Sequence, residues 1–500
     1  MNPALHVTIV GGGFSGSSAA IQLLRRASAP LVVTVVEPRA ALGPGLAYTT
    51  QDPDHRLNAP TSSHSVDPTD PQHFTRWCEA EGVFDADPAA WAGRGTAYVR
   101  RGDYGRYLTA SARDPGALSP NAARIVHLQA RATAAMRRDG AVVTSTDAGQ
   151  TLTSALLIVA TGNPPPGLPA LLGHALREHP AIVADPMREG GVAGIDRQAR
   201  VLVIGSGLTA LDVVSTLVRR GHAGGIVVVS RRGLRPRPQS PALEAIAAAA
   251  AAGSATRPLD RILGPLPAFL QSDVDAPTAT AWLRKLRRRI RDLEVEGHSW
   301  HVGFDQLRDV VWRAWPLLPG VQKQRFLRRL RPWYDVHRFR APPQNDALVR
   351  AAEAEGRVRF RAARLRSIDP GDDPRTVSVR LSGAAGGPER VETFGAVVNC
   401  TGLDPAAGAP DNPFLSSLMQ AGWLRVDDTG LGFAVDENCR AIDATGRPQA
   451  DVRVIGPPTA GVFGDPLGAV YIAAQIHRML PDVFSQLAGR AAAHRSELPL

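Results

Sequence analysis

Short runs of Val, Ile and Leu recur along the chain and alternate with stretches whose apolar residues fall at helical spacing. VTIV at 7–10 enters the glycines of GGGFSG, SSAAIQLLRRA follows with helical periodicity, and LVVTVVE forms a second apolar run. The order predicted is strand, tight turn, helix, strand. It returns at VLVIGSG, TALDVVSTLVRRG and GIVVVSRRG. LLIVATG ending at Gly162, GAVVNCTG ending at Gly402 and VRVIGPP ending at Pro458 are further strand candidates. Strands this uniformly apolar are covered on both faces, so the expected class is α/β with two Rossmann-like dinucleotide-binding folds. Between residues 235 and 343 the alternation stops. That segment is helical in composition, basic and carries five Trp residues, and it reads as an insertion over the two folds. LSGAAGGPER (381–390) reads as a hairpin or loop, and the Ala-rich run 242–252 as a surface helix.

The two glycine turns carry the chemistry. Gly11, Gly13 and Gly16, with Ser15 among them, satisfy GxGxxG between a strand and a helix. The first glycine permits the turn, the second admits a pyrophosphate to the backbone, and the third lets helix and strand pack closely. The N–H groups of the helix start then face the phosphates. Glu37 closes the next strand, where an acid receives ribose hydroxyls. The second turn has Gly205, Gly207 and Ala210, with Arg231 at the offset of Glu37 and Arg232 beside it. A cation there suits a 2′-phosphate, hence NADPH; a solvated strand end is the other reading, which leaves NADH open. Two nicotinamides would have nothing to exchange, so one FAD and one NAD(P)H are expected, with FAD on the first turn.

Composition narrows this further. The net charge is +10, but residues 284–340 hold fifteen Lys/Arg against six acids, so nearly the whole surplus is local. No aromatic-rich nucleic-acid module accompanies it, which argues against nucleic acid as a partner. No apolar run approaches the roughly 20 residues of a membrane span, and no leader pattern precedes the first strand. The three cysteines lack a CxxC pair, which argues against disulfide exchange and a zinc site; a cytoplasmic location and no metal are expected.

Three stretches, GPGLAYTTQDPDHRLNAP (43–60), VRRGDYGRYL (99–108) and RRLRPWYDVHRFRAPP (328–343), resemble a bacterial FAD/NAD(P)-binding protein family. Its members include a urate hydroxylase and relatives of flavin N-monooxygenases. The resemblance implies an FAD domain in two parts, 1–165 and 396–500. It implies an NAD(P) domain, 196–395, between them, with the basic helical insertion at 240–343. The Ala160-Thr161-Gly162 and Cys400-Thr401-Gly402 signatures mark the crossings. Gly456 occupies the late flavin-proximal strand end, but Pro457 stands where related proteins have an acid; Asp465 follows nine positions on, as helix cap or flavin neighbour.

The implied activity is an FAD-dependent, NAD(P)H-using monooxygenase with a small-molecule substrate and O2 as partners. Urate hydroxylation to 5-hydroxyisourate comes first, and amino-acid N-hydroxylation of the aspartate or ornithine type is the alternative. An NAD(P)H:acceptor reductase or oxidase, and a non-catalytic flavin sensor, stay open. Asn58 is the candidate amide for the flavin, His337, Arg338 and Arg340 for an anionic substrate, and His55 and His64 for proton relay. Asp103 and Tyr104 are expected to pack or cap.

Overall fold

The computed structural model describes residues 5–93, 96–114, 123–163, 167, 176, 178–188, 190–239, 257–272, 275–383, 386–402, 411–464 and 467–496. The first fold supplies β1 (Leu5–Val10), β2 (Leu31–Val36) and β3 (Arg124–Leu128). A small antiparallel sheet of β4 (Ala132–Arg138), β5 (Ala141–Thr146) and β6 (Thr151–Ser154) comes next, then β7 (Leu156–Val159). The second fold supplies β8 (Ile182–Val183), β9 (Val201–Ile204), β10 (Ile226–Ser230), β11 (Val358–Pro370), β12 (Val377–Gly383), β13 (Glu389–Phe394) and β14 (Ala396–Asn399). The chain then returns to the first sheet through β15 (Arg440–Ile442) and β16 (Pro448–Val454).

The sheet orders are β15-β16-β7-β1-β2-β3 and β13-β12-β11-β10-β9-β14-β8. β1 lies parallel between β2 and β7, with Val7 opposite Val33 and Leu156. β9 lies likewise between β10 and β14, with Val203 opposite Val228 and Val398. All six residues of β2 and all four of β9 are buried, as central parallel strands must be when both faces are covered. The strand order changes direction beside β1 and beside β9, and each leads directly into its glycine turn. The carboxyl ends at such a switch point form the ligand crevice of open α/β sheets.

The expected return to the first fold at residue 396 comes one strand too early. β14 pairs with β9, because a central parallel strand needs a neighbour on both edges and β10 covers only one. β8, before the expected start at 196, also belongs to the second sheet. LSGAAGGPER spans the antiparallel connection of β12 and β13. The run 242–252 lies outside the described residues.

The insertion is helical, with helices at Ala279–Val295, Trp300–Asp309, Val311–Leu317, Gly320–Arg329 and Arg331–Arg338. It has a small core of its own around Leu270, Trp282, Ala314, Trp315 and Leu318. It rests on the long helix Ala469–Ser496, where Leu259 and Ile262 pack on Ala474. Among the described residues, no helix is long and apolar enough to cross a membrane, and no cluster of His, Cys, Asp and Glu could hold a metal.

Candidate active site

Both glycine turns have the same backbone solution. Gly11 sits at φ 103°, and a Cβ there would lie 2.3 Å from the carbonyl oxygen of Ala160. Gly205 sits at φ 105°, with a Cβ position 2.0 Å from the carbonyl oxygen of Cys400. Each Thr-Gly signature therefore abuts the turn of its own sheet. The helices Phe14–Arg26 and Leu208–Arg219 start with no side-chain cap and no acid in the first turn. Their first N–H groups have no intrahelical acceptors, and a phosphate fits that need.

Around the first turn, Glu37 is 3% exposed; its Oε2 accepts the Gly12 N–H at 2.8 Å and its Oε1 the Arg39 N–H at 3.0 Å. Oε1 also accepts from Arg39 Nη1 at 3.0 Å, so Oε2 is the oxygen that keeps a lone pair for a ribose hydroxyl. The Gly43 N–H donates to the Gly12 carbonyl at 2.7 Å, which lays the 43–48 loop over the turn. The backbone after β16 arrives from the other side. A Cβ on Gly456 would sit 2.4 Å from the hydroxyl of Ser15, and the Gly456 N–H donates to Gln475 Oε1 at 2.8 Å. Asp465 lies outside the described residues.

The second turn is open. Gly207 has an ordinary φ of −79°, and a Cβ there would meet nothing within 4 Å. Arg231 is the first residue past β10, as Glu37 is the first past β2. Arg231 and Arg232 are exposed, and neither forms an ion pair with a described residue.

Part of the 43–60 motif, and Arg101 of the 99–108 motif, lie at the seam between the two folds. Arg101 Nη2 contacts Asp212 Oδ2 at 2.7 Å, across the seam to the helix of the second glycine turn. Burial pushes the Asp212 carboxyl up to about 7; Arg101 pulls against this, while Asp52 and Asp54 add to it. Thr216 Oγ1 donates to Asp52 at 3.0 Å, Arg219 reaches both Asp52 and Asp54, and Asn345 Nδ2 donates to the Asp54 carbonyl at 2.8 Å. Arg56 is not at the seam: it forms a two-pronged pair with Asp87 at 2.7 and 3.0 Å within the first fold. Asn58 is half-buried, and its backbone carbonyl accepts from the Gln239 amide of the second fold.

His55 and His64 are both buried, and burial lowers each to about 4. His55 Nδ1 meets Thr50 Oγ1 at 2.9 Å; His64 Nδ1 faces the Pro60 carbonyl at 3.0 Å and its ring stands edge-on to Tyr104. These are neutral, packed rings at neutral pH. The unfolded chain binds protons on them between pH ~6.5 and ~4 while the folded chain does not. Their contribution to stability is therefore present above about pH 6.5 and lost as pH falls toward about 4. Each ring contributes a slope of at most about 1.4 kcal/mol per pH unit. Denaturant unfolding across this range should show a shallower acid slope for His64→Gln than for wild type; equal slopes would refute the assignment. Tyr104 packs among Phe14, Tyr48, Phe74 and Tyr107, and Asp103 pairs with Arg106 at 3.1 Å.

The insertion closes over the start of the Ala469–Ser496 helix. Trp315 Nε1 donates to the Gly461 carbonyl at 2.8 Å, and a Cβ on Gly464 would lie 2.9 Å from Trp315. The Tyr471 hydroxyl donates to Asp309 at 2.8 Å. The three residues expected to bind an anion separate here. Arg340, 0% exposed, is held by both oxygens of Asp305 and cannot serve a ligand. His337 is half-buried and tied to the Trp333 carbonyl at 2.7 Å. Arg338 lies 4.9 Å over the Tyr471 ring, with Nη2 3.3 Å from the Cβ position of Gly468. Of the three, Arg338 reaches the helix start. Trp315 was expected only as one of the five Trp residues of the insertion, and Tyr471 and Asp212 were not anticipated; the only signal for Asp212 was an acid in the apolar run TALDVVSTLV.

Cys78, Cys400 and Cys439 are buried free thiols, and burial pushes Cys78 up to about 12 and Cys439 to about 11. They are poor nucleophiles in this setting.

Residues 8–164 match a family model described as FAD-NAD(P)-binding. Comparison with curated proteins finds no match. Among solved structures, the chain is similar to the L-lysine 6-monooxygenase of Pseudomonas syringae, at 18% identity and a TM-score of 0.60, covering 96% of this chain and 99% of that one. It is also similar to the ornithine N-hydroxylase of Kutzneria sp. 744, in a structure with reduced FAD, NADP+ and L-ornithine, at 14% identity, a TM-score of 0.60 and coverages of 98% and 100%. A third is the FAD-bound cadaverine monooxygenase of Erwinia amylovora, at 14% identity, a TM-score of 0.60 and coverages of 98% and 96%. The chain shares over nearly its whole length the fold of proteins whose structures hold FAD and NADP+. Its fold is that of the flavin N-monooxygenases, and its first nucleotide domain is of the FAD/NAD(P)-binding kind.

Proposed function

We propose that the protein is an FAD-dependent, NADPH-using monooxygenase that hydroxylates the amino nitrogen of a small amine, with an amino acid of the ornithine, lysine or aspartate type as substrate. The carrying observation is the pair of uncapped helix starts behind Gly11 and Gly205, within a chain that follows amine hydroxylases over nearly its whole length. Urate hydroxylation, the first expectation from the motifs, has no counterpart among the similar structures named above, and amine hydroxylation takes its place.

FAD, when bound and reduced by NADPH, supplies the activation of O2 and the transfer of one oxygen atom. The balance is amine, O2, NADPH and a proton giving hydroxylamine, water and NADP+. The chain supplies position and shelter. Gly11, Gly13, Ser15 and Gly16 would cradle the FAD pyrophosphate, Glu37 its ribose, and the Gly456 backbone would flank the flavin. Gly205 and Gly207 would hold the NADPH pyrophosphate, with Arg231 and Arg232 on its 2′-phosphate. Asn58 supplies an amide at the seam that can donate and accept. Arg338 would bind the substrate carboxylate, and Trp315 with Tyr471 would keep bulk water out.

The test uses FAD-loaded protein with NADPH and air-saturated buffer, and ornithine, lysine, aspartate, cadaverine and urate in parallel. One amine is expected to stimulate NADPH oxidation with a matching yield of hydroxylamine and little peroxide. Oxidation that yields only peroxide with every amine would point to an oxidase, and product from urate alone would restore the first expectation.

A further inference from the structure

Two rows of contacts join the folds, and one of them involves a carboxylate that is otherwise costly to bury. Asp212 is 2% exposed and sits on the Leu208–Arg219 helix, whose first turn follows Gly207. Its partner Arg101 opens the helix Arg101–Arg113 of the first fold and is itself held there: Nε donates to the Arg56 carbonyl at 3.1 Å and the backbone N–H to the His55 carbonyl at 2.7 Å. Asn345 approaches the other Asp212 oxygen at 3.4 Å. One turn further along the same helix, Thr216 and Arg219 engage Asp52 and Asp54 of the first fold. From the neighbouring helix Pro343–Ala354, Gln344 Nε2 donates to the carbonyls of Ala89 and Ala90 at 2.8 and 3.0 Å.

A buried carboxylate is tolerated only when paired, so Asp212 favours the one orientation of the second fold that brings it to Arg101. The Asp212 helix is also the one whose start would receive the dinucleotide pyrophosphate. Its angle to the first fold therefore decides where a nicotinamide reaches. We infer that the Arg101–Asp212 pair is an interdomain latch that fixes the second nucleotide fold on the first and positions the dinucleotide for hydride delivery. The latch itself stands on the contacts above; its purpose rests on the proposed function. Asp212 is on this view a positioning residue.

The test uses the full chain loaded with FAD. Spin labels are placed on cysteines substituted for exposed Arg138 in the first fold and exposed Glu355 in the second, since the three native thiols are buried. Wild type should give one narrow interlabel distance. Asp212→Ala should broaden it and lower the limiting rate of anaerobic flavin reduction by NADPH tenfold or more, with NADPH affinity changed less than threefold and FAD content unchanged. Arg101→Lys, which keeps the charge, should recover most of both. If Asp212→Ala fails to fold, Asp212→Asn, which removes the charge and keeps the volume, should show the same broadening in smaller degree. An unbroadened distance in whichever variant folds overturns the latch. A broadened distance with an unchanged reduction rate overturns the positioning role. The distance reads the latch even if the protein hydroxylates no amine, so the two proposals fail separately.

Discussion

Gly207→Ala is expected to fold, retain FAD and bind NADPH about tenfold to a hundredfold more weakly, a loss of roughly 1.4–2.8 kcal/mol. Its backbone is in a region any residue adopts, and its missing Cβ faces open space, so nothing in the fold resists a methyl group. At a helix N-cap, Gly and Ala differ by about 1 kcal/mol. The methyl group would stand where a pyrophosphate needs the bare backbone. Gly205→Ala, two residues earlier, should behave in the opposite way. At φ 105° the new Cβ would lie 2.0 Å from a backbone oxygen at the end of β14. Relieving that clash means moving a central strand, and the expected loss is more than about 3 kcal/mol of stability. Thermal unfolding, flavin absorbance and NADPH titration distinguish the two. Unchanged NADPH affinity in Gly207→Ala would remove the dinucleotide from this turn.

Replacing Arg231 and Arg232 together by Gln should weaken NADPH about tenfold to a hundredfold and leave NADH within about twofold. A charge-assisted hydrogen bond contributes about 1.5–3 kcal/mol, and the exposure of both side chains argues for the lower end of that range. Neither arginine has an ion-pair partner among the described residues, so the substitution breaks no internal pair. The ratio of kcat/KM for the two cofactors is the measurement. Equal losses, or none, would make these arginines a solvated strand end and return NADH to equal standing.

The motifs behind the family resemblance prove to have divided roles. In 43–60, the glycines cover the first turn, Asp52, Asp54 and His55 face the second fold, and Arg56 pairs with Asp87 inside the first. In 99–108, Arg100 leans on the same Asp87 while Arg101 crosses to Asp212. In 328–343, Arg340 is spent on Asp305, and Arg338 alone of the expected trio reaches the Ala469–Ser496 helix. A row of polar residues in the sequence does not say which of them faces a ligand, because the answer depends on what packs opposite.

The glycine turns, the apolar strands and the acid at position 37 were legible from the sequence because each expresses a local requirement. A backbone at positive φ excludes side chains, a central parallel strand excludes polar ones, and the strand end has a set distance from the turn. The return point of the chain, the burial of Arg340 and the meeting of Arg101 with Asp212 were decided only by tertiary structure. They depend on which surfaces come together across tens to hundreds of residues, and a charge is stable in the interior only where the fold delivers its counterpart.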